Sequence, residues 1–377
     1  MSKVNPATQL FSRLPYAAAD VFSSYYPVPV SLGAAGFEFS DYYWMSIDAM
    51  LMDDEIVSDL LLRRTTAMMA PFQITGTPDD IAWAEEMLSE LDLENLLREC
   101  LHHAEYGFNL IELDWVRDGS NVRPVYAERR HPRAFRWGKD GKLLYSSTGN
   151  VLSYSDVPTG KVIPVVRDGS RERPYGQSVL EPAWATWQTK WEHVEKLERL
   201  ADKYSVPTTI ALANEGNASQ TSLEEIAGTM AVIENGGSVA LSGVSEVVQL
   251  TASGKASELM AVIEKYDNKL CKLITGQTLT GTSQQYGSRA LGEVHERAAL
   301  RISADDAQIV FNTLNRTLLR WLFALNGRAG GIAIRFDKKA FGQMVQQMQG
   351  NGSAGAIQLS NPAGNNWLQR AWGLNLW

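Results

Sequence analysis

Apolar positions along this chain recur with two periods, and the switches between them lay out its elements. Ile47, Met50, Leu51, Ile56, Leu60 and Leu61 keep the three-and-four spacing of one helix face and predict a helix over 46–69. Arg63 and Arg64 fall near its end, where the helix dipole favours cations. Phe72 to Thr75 reads as a strand. Thr77-Pro78-Asp79-Asp80 then opens a helical stretch, with a threonine cap, a proline at the first helical position and acids in the first turn. The helical pattern lasts to about Tyr106. From Phe108 to Trp115 the period drops to two, Gly119-Ser120-Asn121 turns the chain, and Val122 to Tyr126 returns, which is a β-hairpin signature. Short strands follow through Val166.

Long helices dominate the second half. Ser178-Val-Leu-Glu181 has the form of a capping box, and Leu180, Trp184, Trp187, Trp191, Val194, Leu197 and Tyr204 make one stripe ended by Pro207. Three tryptophans on one face form a heavy apolar surface, suited to a core or to a subunit interface. Residues 208–253 read as a small α/β insert: strand 208–213, helix 223–234, and strands 239–241 and 246–250. Beyond it Leu259, Ile263, Tyr266, Leu270 and Leu273 predict a second long helix, and Lys265, Lys269 and Lys272 repeat the same spacing on a neighbouring face. A third, free of proline, can run from about Leu291 to Asn326 with Ala307, Phe311, Leu314, Leu318, Trp321 and Leu325 on its apolar face, about 50 Å at 1.5 Å per residue. Ile332 to Phe336 then reads as a strand returning to the first half.

The loop joining the second and third helices runs from Gly276 to Arg289. Apart from Leu279 and Tyr286 it is small and polar, with glycines at 276, 281 and 287, so it has nothing to bury and is expected to be mobile. Glycine-rich loops can cradle phosphate, but a P-loop needs Lys-Ser/Thr after its last glycine, and Ser288-Arg289 stands there. Residues 1–40, with Pro6, Pro15, Pro27 and Pro29, show no sustained period and read as an extended arm whose Phe22, Tyr25 and Tyr26 suit docking. Residues 338–377 read as a polar Gln/Asn/Gly tail carrying Trp367, Trp372 and Trp377, which want a partner surface.

Composition narrows the classes. With 377 residues, 45% of them hydrophobic, the chain has ample material for a core. No run of eighteen apolar residues and no signal-peptide layout at the amino terminus predict a protein that folds in the cytoplasm and spans no membrane. Cys100 and Cys271 sit in helical apolar patterns and are expected to be reduced, small hydrophobes. A net charge of −8 argues against tight nucleic-acid binding, although weak, non-specific contact suits a duplex that must slide. The lysine stripe is ordinary dress for a solvated face, or a basic face offered to a partner. Arg129-Arg130-His131-Pro132-Arg133, followed by Phe135-Arg136-Trp137, has the basic and aromatic mix of nucleic-acid contact. Its plainer reading is a strand edge whose arginines pair with the acidic surplus.

Catalysis has no foothold. Ser178, His193 and Asp202 lie along one predicted helix with no nucleophile elbow, and the adjacent His102 and His103 point to different sides of a helix with no Cys or carboxylate set beside them. No cofactor is implied.

Leu273-Ile-Thr-Gly-Gln-Thr-Leu-Thr280 followed by Ser288-Arg-Ala-Leu-Gly-Glu-Val-His-Glu296 resembles the signature segment of the Mu-type bacteriophage portal proteins. The likeness extends to Tyr106-Gly-Phe-Asn-Leu-Ile-Glu112 with Trp115, and to Pro174-Tyr-Gly-Gln-Ser-Val-Leu180 with the tryptophan helix and Tyr204-Ser-Val-Pro207. In all it covers roughly residues 45–335. The resemblance implies an α+β, portal-type subunit assembling into a ring, usually a dodecamer. It would have an arm (1–40), a wing (41–177), stem helices (178–206 and 257–275) and a clip (207–256). A tunnel loop (276–290), a channel helix (291–326), a return strand (327–337) and a tail (338–377) complete it. The chain ends soon after that strand, unlike longer members, which puts a helical crown in doubt.

Carried onto this chain, the loop residues Thr278, Thr280, Thr282, Ser283, Gln284, Gln285, Tyr286, Ser288 and Arg289 would meet DNA. Lys265, Lys269 and Lys272 would face the channel, and Glu224 and Glu225 would dock the terminase or adaptor. Trp184, Trp187, Trp191, Trp367, Trp372 and Trp377 would be interface candidates. Implied partners are other copies of the chain, double-stranded DNA, the terminase large subunit, the major capsid protein and head-to-tail adaptor or neck proteins. The implied location is the virion's portal vertex, after synthesis in the host cytoplasm. The competing readings are a non-viral oligomeric scaffold and, behind it, a nucleic-acid-processing enzyme. Neither needs a polar loop between two long helices.

Overall fold

The computed structural model describes residues 30–32, 36–146, 154–205, 208–213, 228, 244–250, 256–277 and 289–350. Strands β1 (Val30–Leu32) and β2 (Phe37–Phe39) lead into helices α1 (Asp41–Met50) and α2 (Asp54–Ala67). The pattern over 46–69 predicts one helix, but the chain makes two. Asp53 turns its carboxylate onto the N–H groups of Glu55 and Ile56, 3.1 and 3.3 Å away, and so caps a new start. Strand β3 (Phe72–Thr75) and helix α3 (Pro78–Met87) stand where the pattern puts them, with Thr77 capping Asp80. Helix α4 (Leu93–Cys100) and the single turn α5 (His103–Tyr106) follow. The expected hairpin is β4 (Phe108–Asp118) with β5 (Asn121–Arg130), turned at Gly119-Ser120. Strands β6 (Phe135–Trp137), β7 (Leu143–Tyr145), β8 (Ser155–Asp156) and β9 (Val162–Val166) complete the first half.

Strand β4 divides two cores, and the period of two is the means. Phe108 and Leu110 point into a core built with α1, the start of α2, β6 and the ends of the later long helices. Ile111 and Leu113 point into another built with α3, α4 and the carboxy-terminal helices. Among the described residues all pairings are antiparallel, in sheets ordered β1-β2-β6-β7-β8 and β5-β4-β9 plus two two-stranded ribbons.

In the second half come α6 (Trp184–Ser205), β10 (Thr208–Ala213), β11 (Val244–Leu250), α7 (Ala256–Thr275), α8 (Arg289–Arg316), α9 (Leu318–Leu325), β12 (Ala333–Phe336) and α10 (Lys338–Gly350). β10 and β11 pair as an antiparallel ribbon. Four expectations change here. Helix α6 starts at Trp184 and not at Ser178, because Ser178 Oγ donates to the Glu105 carbonyl and accepts from Leu180 N, while Glu181 is taken by Arg173 at 2.6 Å. There is no capping box. The 291–326 helix is broken at Thr317, where Thr313 and Thr317 both donate to carbonyls four residues back, a bond that competes with the helix. On α7 the buried face runs through Leu270, Cys271 and Ile274, while Leu273 is 40% exposed. The stretch after β12 begins as a helix.

The return strand does reach the first half: β12 pairs with β3 from Ala333↔Thr75 to Phe336↔Phe72. Two segments with a shared resemblance also meet in space. Val179 N donates to Ala104 O and Arg167 N to Gly107 O, at 3.0 and 2.9 Å. Gly176 (φ 70°) fits only without a side chain, since a Cβ would lie 2.1 Å from the Arg167 carbonyl and 2.5 Å from that of Gly107.

Candidate functional site

The site assembles at the carboxy-terminal end of α7, where the polar loop begins. Gly276 closes the helix in a left-handed turn (φ 78°) with its N–H on the Lys272 carbonyl at 3.1 Å, as a helix end requires. A Cβ there would lie 2.5 Å from Ile302 Cδ1 of α8. Thr275 is buried, donates to Cys271 O at 2.8 Å, and takes the N–H of Gln277, itself buried, at 3.3 Å.

Arg63 of α2 locks this root to the next helix. Its guanidinium grips Asp306 of α8 with both arms, Nε to Oδ2 at 2.5 Å and Nη2 to Oδ1 at 2.8 Å, and Nη1 donates to the Ile274 carbonyl at 2.6 Å. Arginine and aspartate side chains are each 4% exposed. A bidentate pair with a third bond to the backbone fixes direction as well as distance. His103 lies behind it, 3.9 Å from Asp306, and burial pushes its imidazole down to about 4, against the pull of Asp306, so it is neutral at physiological pH. One turn earlier on the same face of α2, burial pushes the Asp59 carboxyl up to about 6, partly offset by the Cys271 thiol.

A second clip joins the two long helices lower down. Lys190 of α6, buried, reaches Asp267 of α7 at 2.7 Å and Asp53 at 3.0 Å, and Trp187 Nε1 donates to the same Asp53 at 3.1 Å. Burial works against the lysine's charge, but Asp267 and Asp53 together hold it above the usual lysine value. Beside it the rings of His193 and Tyr266 lie 5.6 Å apart.

The residues singled out from sequence divide three ways. Lys265, Lys269 and Lys272 are all exposed and form no ion pair among the described residues. Trp184 and Trp187 are half-buried against their own subunit's core, while Trp191, whose ring meets that of Trp187 at 6.5 Å, is 43% exposed. Arg289 opens α8. Thr278, Thr280, Thr282, Ser283, Gln284, Gln285, Tyr286 and Ser288, together with Glu224, Glu225, Trp367, Trp372 and Trp377, lie outside the described residues.

The arginine run takes its plainer reading. Arg129 pairs with Glu99 at 2.9 Å, Arg130 with Glu112 at 2.6 Å and Arg133 with Asp41 at 2.6 Å, while Phe135 and Trp137 are core. Ser178, His193 and Asp202 are not assembled into a catalytic set: Ser178 is held by Glu105 and Leu180, and His193 by Thr189 and Tyr266. Among the described residues no group of His, Cys, Asp and Glu could hold a metal ion, and no helix is long and apolar enough to cross a membrane. Sequence reasoning missed Arg63, Asp306, Lys190 and Asp53. Their one signal was charge inside a helical apolar stripe, as Arg63 lies between Leu60 and Ala67.

A family model described as the portal protein of Mu bacteriophage matches residues 44–374. The chain is 24% identical over 301 residues to the portal protein of Escherichia phage Mu, covering 75% of this chain and 57% of that one, so it spans little more than half its relative's length. Its fold is shared with a chain from the virion of a native gene transfer agent particle, with a TM-score of 0.57 at 13% identity over 88% of this chain and 92% of that one. The neck of the native gene transfer agent particle, computed with C12 symmetry, contains a similar chain, with a TM-score of 0.53 at 13% identity over 88% and 93%. The chain therefore belongs to the portal protein family of Mu bacteriophage.

Proposed function

We propose that this chain is the subunit of a phage portal, the ring at one capsid vertex that connects head to tail and passes double-stranded DNA inward during packaging and outward at ejection. The family match across residues 44–374 carries this reading. Geometry supports it: two long helices, α7 and α8, are clamped together by Arg63 at the root of the polar loop between them. A loop that must meet moving DNA needs a fixed base, and a buried bidentate pair supplies one. In this assignment 41–177 with the returning β12 form the wing, 178–206 and 257–275 the stem, 207–256 the clip, 276–290 the tunnel loop and 291–326 the channel helix.

The ring is a homo-oligomer, and twelve subunits is the number suggested by the C12 neck that holds a similar fold. Its role is structural and not enzymatic, and no cofactor enters it. Thr278, Thr280, Thr282, Ser283, Gln284, Gln285, Tyr286, Ser288 and Arg289 would touch phosphates without reading bases. The clip, with Glu224 and Glu225, would dock the terminase large subunit and later the adaptor or neck proteins, and the wing would sit in the major capsid protein. Trp367, Trp372 and Trp377 would bind a neighbouring subunit or another virion protein. Lys265, Lys269 and Lys272 are available to a surface outside their own subunit.

The test is the purified full chain in mass photometry and negative stain. Closed rings are expected at micromolar concentration and moderate salt, and monomers alone would overturn the reading. In particles, deletions within 278–288 are expected to slow packaging while leaving rings intact, and charge reversal at Glu224 and Glu225 to block packaging with assembly spared.

A further inference from the structure

Six large apolar side chains stand exposed within a short reach of α1 and α2: Tyr42, Met45, Met52, Val57, Leu61 and Met69. On α2 itself Val57 and Leu61 stand with an exposed Asp54 at the helix start, on the side away from the core. Helix α7 carries the converse surface. Lys265, Lys269 and Lys272 are exposed there beside the exposed Leu273.

The two surfaces belong to one layer. Helices α2 and α7 run parallel and side by side: Glu55 and Asp267 line one cavity, Asp59 adjoins Cys271, and Arg63 reaches the Ile274 carbonyl. Because the helices touch through these inner faces, their outer faces look in opposite directions. Each molecule thus has two different, oppositely directed surfaces, which is what a head-to-tail contact needs in order to repeat and close.

We infer that the lysine and leucine face of α7 in one copy docks on the outer face of α2 in the next copy of this chain. The inference rests on the ring reading above, and it gives the lysine stripe a protein partner in place of the channel position. Register sharpens it. A rotation about an axis along these helices leaves height unchanged, so residues level within one subunit stay level with the neighbour's. Lys265 then meets Asp54, Lys269 lies over Val57, and Leu273 meets Leu61, with about 12 Å of helix shared between the first and last contacts at 1.5 Å per residue. Charge meets charge at one end and apolar surface meets its like at the other.

Cysteines placed at Leu61 and Leu273 test the contact directly, since both side chains are exposed and the native Cys100 and Cys271 are buried. Rings of the full chain carrying both Leu61→Cys and Leu273→Cys are oxidised and run on non-reducing gels beside each single variant. The double variant is expected to give a ladder of linked subunits and the singles none. Rings of normal size whose double variant stays monomeric on the gel would overturn the inference. In a second arm, Lys265→Glu is expected to raise the concentration needed for ring formation about tenfold, and Asp54→Lys added to it to restore assembly. If Lys265→Glu rings instead assemble normally and only their salt-dependent retention of DNA changes, the stripe faces DNA and the inference fails. Failure of the unmodified chain to form rings would remove the ring reading itself, and the interface with it.

Discussion

The Arg63 clamp and the arginine run at 129–133 use the same chemistry, guanidinium on carboxylate, in opposite surroundings. Arg63 and Asp306 are each 4% exposed, whereas Arg133 and Asp41 are 59% and 77% exposed at a comparable 2.6 Å. Distance therefore does not separate them. In water an ion pair replaces hydration it already had and is screened by salt, so it contributes little. Inside the protein neither charge has water to return to, and loss of one partner strands the other. The run that looks most basic in sequence thus pairs mostly at the surface, with Arg129 alone also reaching a buried carboxylate, that of Glu105. The single arginine that looks like a helix-end cation holds the loop root together.

The largest expected effect follows from breaking the buried side. Arg63→Ala leaves Asp306 buried and uncompensated and frees the Ile274 carbonyl, so it should cost about 3–5 kcal/mol. Denaturant unfolding followed by circular dichroism measures this. A variant within about 1 kcal/mol of the parent would show that the clamp is replaceable. Arg63→Met paired with Asp306→Leu should recover most of the loss, because two apolar groups of similar volume leave no stranded charge.

Lys190→Met comes next. It removes the ammonium between Asp53 and Asp267 but leaves Trp187 Nε1 on Asp53 and Asp267 only partly buried, so a cost of about 2–3 kcal/mol is expected. The same unfolding measurement, repeated at high salt, should give nearly the same value, as screening reaches buried charges poorly.

The acid limb should show two opposed titrations. His103 binds its proton at about 4 when folded and near its usual 6.5 when unfolded, so its contribution is present above 6.5 and lost as pH falls from 6.5 to 4. Asp59 runs the other way. Its carboxyl titrates at about 6 when folded against 3.8, so its contribution is present below 3.8 and lost as pH rises from 3.8 to 6. Asp59→Asn should therefore gain on the parent as pH rises from 4 to 7, by at most about 3 kcal/mol. An equal difference at both ends would mean that Asp59 titrates normally. The smallest effect belongs to the surface: Arg133→Gln should stay within about 0.5 kcal/mol at any salt concentration.

Much of this molecule was written locally. The period-two stretch from Phe108 and the Thr77-Pro78 start each specify their element through neighbours in the chain. The motif that carries the family resemblance is also continuous in sequence, so the family, and with it the portal reading, could be stated before any coordinate. What failed were boundaries at which a side chain had two possible partners. Ser178 could have capped a helix, but the Glu105 carbonyl, 73 residues away, had it. Thr317 could have continued a helix, but its hydroxyl bonds back to Thr313.

Sequence alone, then, determined most of the order of helices and strands between Ser46 and Phe336, the period-two strand from Phe108 and the polar composition between the second and third long helices, because these follow from near neighbours and from the sorting of apolar side chains. Only the tertiary structure decided which charges matter. Arg63 finds Asp306 across 243 residues and Lys190 finds Asp53 across 137, and no local pattern encodes such a meeting. Only the tertiary structure, too, set the lysine face of α7 and the apolar face of α2 on opposite sides of one layer. The physical reason is shared: the worth of a charge or an exposed leucine depends on the water left around it, and that is fixed when distant segments pack.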